Sequence, residues 1–179
     1  MVTIIPDQTL KKIRGKAGQR GLRDLLLIEL ALTTALRVRE LVSLTREQVQ
    51  GKEWISVKVK GGRIERVYLP PKIRRLIESY LKTHSSEWLF PNGRGDHISG
   101  RHAQRIFYEI QDALNIPDGE KWNFHALRHT AITKFYFQTR DILLTRAFAR
   151  HKRVETTTIY AHLNPLELAR AVNQIERGW

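Results

Sequence analysis

The chain contains no cysteine, which excludes disulfides and thiolate metal sites and points to a reducing compartment, the cytoplasm. It also lacks any apolar run long enough to span a bilayer, and its opening, MVTIIPDQTLKK, suits neither a secretory signal nor a membrane anchor. No internal repeat or low-complexity segment is visible. Acidic residues are scarce: 18 Asp and Glu stand against 31 Lys and Arg, a net charge of +13. The excess is spread along the chain rather than held in a tail, so it belongs to a folded surface. An anionic polymer is the partner such a surface attracts, with a merely soluble basic protein as the bland alternative. At 179 residues the chain is long enough for one domain with a sizeable core, and a single domain over 1–179 is expected.

The pattern of apolar residues predicts a mainly α fold with a small antiparallel β-sheet (α+β). After an entry segment with a short helical stretch, Gly15 to Gly21 reads as a basic loop. Leu22 to Leu36 is apolar on nearly every face, a buried central helix that delivers Arg37 at its end. A second helix follows over Val38 to Leu44, and Thr45 caps another turn ahead of Glu47 and Gln48. Trp54 to Val59 alternates as a strand, Gly61-Gly62 turns, and Ile64 to Leu69 returns, with Gln48 to Gln50 as a further edge strand. Pro71 opens a helix to Leu81 whose inner face is Ile73, Leu76, Ile77 and Tyr80. Ser99 caps a basic helix to Leu114. Helices over 124–137, 141–149 and 154–160 follow, and after Asn164-Pro165 a last amphipathic helix carries Leu168, Val172 and Ile175.

The chemistry concentrates between Phe124 and Leu163. His125 and Arg128 are three residues apart on a helix, so both leave one face. Their helix start suits an anion, because N-terminal amides attract phosphate. His151 is followed by Thr156, Thr157 and Tyr160 in a polar stretch with little reason to bury a tyrosine. Imidazole and guanidinium groups bind anionic oxygens or move protons, and a phenol can act as a nucleophile. His125 and His129 also have the i, i+4 spacing of a metal-ligand pair, but no carboxylate cluster accompanies them and the basic surroundings disfavour a cation. His84, His97, His102, His129 and His162 read as structural or surface residues, although His162, two past Tyr160, could touch the anionic partner.

These segments resemble the tyrosine recombinase (phage integrase) family, whose signature is HxxR, then a histidine, then TTxxY. The match is HALR (His125 to Arg128) and HKRVETTTIY (His151 to Tyr160). TALRVREL (Thr34 to Leu41) resembles the family's first arginine box, placing Arg37 as a catalytic arginine and Glu40 as its supporting acid. By itself Arg37 reads as an ordinary capping partner of Glu40. VKGGRIERVYLP resembles the family's β-hairpin, in which Lys60 reaches the active site. By itself Lys60 reads as a solvated turn lysine. Ala35 and Arg150 stand where the family usually has glycine, and a positive φ at Arg150 would be strained.

The resemblance implies the tyrosine recombinase catalytic-domain fold, double-stranded DNA as partner and self-assembly on DNA as a dimer or tetramer. It implies strand cleavage by Tyr160 through a 3′-phosphotyrosyl link, for integration, excision or inversion. Arg37 and Arg128 would neutralise the phosphate, His125 act as base, Lys60 protonate the leaving oxygen and His151 donate to the phosphate. Neither a cofactor nor a metal is needed, because the phosphotyrosine conserves the bond energy. The resemblance spans the family's catalytic domain, and a single domain without the N-terminal core-binding domain is expected. Residues 165–176 are expected to dock in trans on a neighbour or to pack on their own domain. A type IB topoisomerase-like enzyme and a non-catalytic DNA-binding remnant are the competing readings.

Overall fold

The computed structural model describes residues 3–59, 61–151 and 155–158. Nine α-helices and one hairpin follow in order among them: α1 (Asp7–Arg20), α2 (Leu22–Thr34), α3 (Val38–Val42), α4 (Arg46–Val49), β1 (Trp54–Lys58), β2 (Ile64–Tyr68), α5 (Pro71–Leu81), α6 (Gly100–Asp112), α7 (His125–Thr139), α8 (Ile142–Ala149) and α9 (Glu155–Thr158). The fold is thus mainly helical with one small antiparallel sheet, as the periodicity predicts.

Helix α2 is the hub, packed against α1, α5 and α7. Leu26, Leu27, Ile28 and Leu30 are fully buried, because three neighbours leave it hardly any solvent face. Two acids on it are also buried. Glu29 accepts from Arg14 Nη2 at 3.0 Å, and Asp24 accepts from Arg20 Nε at 2.7 Å and Arg23 Nε at 2.9 Å. Buried carboxylates persist only when paired, so α1 must lie alongside to present Arg14 and Arg20. This corrects the basic loop expected over Gly15 to Gly21. Helix α1 continues through Gly15 and Gly18, since Leu10, Ile13 and Ala17 bury one face and the ion pairs hold the other to α2. Packing outweighs the roughly 1 kcal/mol that each helical glycine costs.

The expected edge strand over Gln48 to Gln50 is absent. Gln48 instead closes a capping box with Thr45, its Oε1 accepting from the Thr45 N–H at 2.9 Å, and α4 runs to Val49. The helix expected to reach Leu44 stops at Val42, and the one expected to reach Leu114 stops at Asp112. Strands β1 and β2 pair from Trp54↔Tyr68 to Lys58↔Ile64. Ile55, Val57 and Val67 point into the core, whereas Trp54 and Tyr68 meet on the outer face with ring centroids 5.2 Å apart. At the tip Gly61 and Gly62 take φ values of 94° and 81°, the left-handed region the turn demands. Pro71 opens α5 at N1, and Ser99 Oγ caps α6 by accepting from the His102 N–H at 3.1 Å.

Candidate active site

Three chain segments meet at one place: the end of α2, the first turns of α7 and the end of α8. Helix α2 stops at Thr34 because Ala35 adopts the left-handed conformation (φ 49°, ψ 31°) and its N–H returns to Ala31 O at 3.1 Å. The chain then turns to extended backbone at Arg37, the N-cap of α3. Glu40 reaches back to this residue twice, accepting from the Arg37 N–H and from Nη1, each at 2.9 Å. The ordinary capping pair is therefore present. It also fixes the guanidinium, whose side chain remains 32% exposed while Glu40 is buried.

Arg128 lies one turn into α7 and is only 3% exposed. Its Nη2 donates to Ala149 O at 2.6 Å and its Nη1 to Ala35 O. One guanidinium thus joins the C-terminal carbonyls of α2 and α8, where aligned peptide dipoles present negative charge. Two of the α7 amides near that start are engaged within the chain: the Ala126 N–H donates to Asn123 Oδ1 at 3.1 Å and the Leu127 N–H to Phe124 O at 3.2 Å.

Helix α8 begins at a capped Asp141, whose Oδ1 accepts from the Leu143 and Leu144 N–H groups. It ends in a Schellman motif: the Arg150 N–H donates to Ala147 O at 3.1 Å and the His151 N–H to Arg146 O at 3.2 Å. Arg150 occupies the left-handed position (φ 54°, ψ 42°), at a cost on the order of 1 kcal/mol for a non-glycine residue. Its side chain is 7% exposed, and its guanidinium donates to Thr34 O (3.0 Å), Phe148 O (2.9 Å) and Ala35 O (2.7 Å). Burial pulls its pKa down to about 10, with Glu40 opposing and Arg37 reinforcing that shift, so it stays charged at neutral pH. The motif thus identifies position 150, but it gives no sign of the guanidinium's hydrogen bonds.

The imidazoles respond to this positive cluster. Burial first, then Arg128 and Arg37, lowers the His125 pKa. His151 falls to about 4 through burial, then Arg128, Arg37, Arg150 and His129. His129 falls to about 4 through burial, His125 and Arg128, and it packs edge-on to His125 with centroids 4.7 Å apart. All three rings are neutral at neutral pH. His151 Nδ1 lies 3.0 Å from the hydroxyl of Thr157, a fully buried residue. Thr157 belongs to the quoted TTT run, but the sequence offers no reason to pair it with His151. His84 and His97 spend their rings on edge contacts with Tyr80 and Trp88.

The structure therefore gathers Arg37, Glu40, His125, Arg128 and His151. Lys60, Tyr160, His162 and the segment 165–176 lie outside the described residues. Among the described residues no group of three or more His, Asp or Glu side chains is placed to hold a metal. No helix among them is long and apolar enough to cross a membrane.

The chain belongs to the phage integrase family, whose model matches residues 6–167. Among curated relatives, the tyrosine recombinase XerC of Caldanaerobacter subterraneus subsp. tengcongensis is 32% identical over 175 residues, covering 94% of this chain and 49% of that protein. The tyrosine recombinase XerD of Vibrio cholerae is 30% identical, covering 86% of this chain and 53% of the relative. The chain thus spans about half the length of these relatives. Solved structures share the fold. XerH recombinase bound to its difH substrate gives a TM-score of 0.80 at 22% identity, covering 95% of this chain and 53% of that one. The Tn1549 transposon integrase in complex with circular intermediate DNA gives 0.83 at 15% identity, covering 100% and 66%.

Proposed function

We propose that this chain cleaves and rejoins double-stranded DNA in site-specific recombination, through a 3′-phosphotyrosyl intermediate on Tyr160. The observation that carries the reading is the Arg128 guanidinium, which ties Ala35 to Ala149 and so holds the Arg37 and His151 segments together. A phosphodiester resists attack because negative charge grows on its non-bridging oxygens, and fixed guanidiniums are suited to neutralise it. Arg37 and Arg128 take that role. The Tyr160 phenol has an ordinary pKa of about 10, so it needs a base. A neutral His125 can accept its proton. Lys60, which precedes Gly61-Gly62 in the sequence, would protonate the departing 5′-oxygen. When the Thr157 hydroxyl donates to His151 Nδ1, the ring's single proton resides on Nε2, which can donate to the phosphate. The relatives' recombinase identity favours this reading over a topoisomerase-like one.

Incubation with nicked duplexes carrying candidate sites tests it. The expected result is an SDS-resistant adduct that persists in EDTA and disappears in Tyr160→Phe without loss of DNA binding. An adduct of wild-type yield in that variant would assign the nucleophile elsewhere.

Assembly on DNA follows from the same reading, with residues 165–176 docking on a neighbouring protomer. A cavity of about 560 Å³ bordered by Trp54, Tyr68, Phe135, Leu144 and Phe148 is apolar enough to receive the Leu168, Val172 and Ile175 stripe. Truncation after Asn164 should leave the fold and single-site binding intact but reduce cooperative occupancy of paired sites. Unfolding of the truncated chain would show that the stripe packs on its own domain.

A further inference from the structure

Arg150 has no part in the chemistry above, yet its guanidinium lies at the centre of the site's main-chain framework. It is buried, and its donors at Nη1 and Nη2 face carbonyls at two helix ends: Thr34 and Ala35 at the close of α2, Phe148 at the close of α8. Ala35 O also accepts from Arg128. That single carbonyl therefore takes hydrogen bonds from two guanidiniums. Two residues beyond Ala35 comes Arg37, and directly after Arg150 comes His151. Glycine at position 150 would satisfy the left-handed backbone with less strain, so the arginine sits there against a backbone preference.

We propose that Arg150 is a positioning residue of the cleavage site. Its side chain fixes the end of α2 against the end of α8 and thereby sets Arg37 relative to His151 around the scissile phosphate. The role proposed for it is to hold that framework rather than to touch the phosphate. Arg128 makes the parallel link from α7, so the two guanidiniums form a double tie on Ala35. A gap between catalytic groups of even a fraction of an ångström is expensive when the transition state demands fixed geometry.

The inference rests on the strand-cleavage reading, and its test separates the two. Arg150→Gly and Arg150→Lys are compared with the wild-type chain in single-turnover adduct formation and duplex affinity. The glycine variant should bind duplex within about threefold of wild type and form adduct at least about tenfold more slowly. The lysine variant, which keeps the charge but not the fork, should recover part of the rate. Wild-type adduct rate in the glycine variant would overturn the proposal. If the glycine variant fails to fold, the lysine variant decides: a slower rate at unchanged affinity supports the tie, and a wild-type rate overturns it. If the wild-type chain itself forms no adduct, the cleavage reading fails. Inorganic phosphate, titrated while the His151 ring is followed by NMR, then decides the positioning claim. Weaker phosphate binding in the glycine variant, partly restored by lysine, supports it, and equal binding in all three proteins overturns it.

Discussion

The ends of α2 and α8 adopt the same left-handed conformation on a non-glycine residue and each delivers a site side chain, but they are secured differently. At Ala35 the side chain is a methyl, packed with Ala131, Ile132 and Ala149, and the useful group is its carbonyl. At Arg150 the useful group is the side chain, which crosses to that same carbonyl. One end is an acceptor and the other a donor. A glycine in either place would relax the backbone equally, so substitution distinguishes backbone strain from side-chain function.

The largest effect is expected where the two ends are bridged. Arg128→Ala removes bonds to both Ala35 and Ala149, so adduct formation should fall by roughly a hundredfold or more and stability by on the order of 2 kcal/mol. Urea unfolding beside single-turnover kinetics checks both. Arg37→Ala should slow cleavage comparably but cost less stability, because Glu40 retains its bond to the residue 37 N–H. Ala35→Gly sharpens the contrast. It relieves strain but loses a buried methyl, so stability should change by less than about 1 kcal/mol and the cleavage rate should barely move. A large rate loss there would mean that the α2 end depends on its side chain after all.

The smallest effect concerns pH. His129 and His151 titrate near 4 in the folded chain against an ordinary 6.5. Between those values the unfolded chain binds more protons, so stability declines as pH falls from about 6.5 toward about 4 and is insensitive to these rings above that window. Melting temperatures across the window should show the slope, and His129→Asn should flatten it.

Much of this comparison was legible in the sequence. Pro71, Ser99, Thr45 and Gly61-Gly62 are local signals, and the structure places helix starts and the turn where they indicate. The HALR and TALRVREL motifs identify Arg37, Glu40, His125 and Arg128, which converge. What local pattern hides is tertiary compensation. Gly15 and Gly18 read as a loop because the acids that hold α1 in place, Asp24 and Glu29, belong to another helix that itself reads as apolar. The cross-helix bonds of Arg150 are hidden for the same reason, since their acceptors are main-chain carbonyls more than a hundred residues earlier. The pairing of Thr157 with His151 depends on how α9 follows α8, which spacing alone does not set.

The central claim is that the converged guanidiniums neutralise charge on the scissile phosphate. It is tested most directly by comparing a normal substrate with one whose scissile phosphate is an uncharged methylphosphonate. On the normal phosphodiester, Arg37→Ala should cleave about a hundredfold more slowly than wild type. On the methylphosphonate there is less charge to neutralise, and the difference should shrink to a few-fold. An equal loss on both substrates would contradict the account and reduce Arg37 to a capping partner of Glu40.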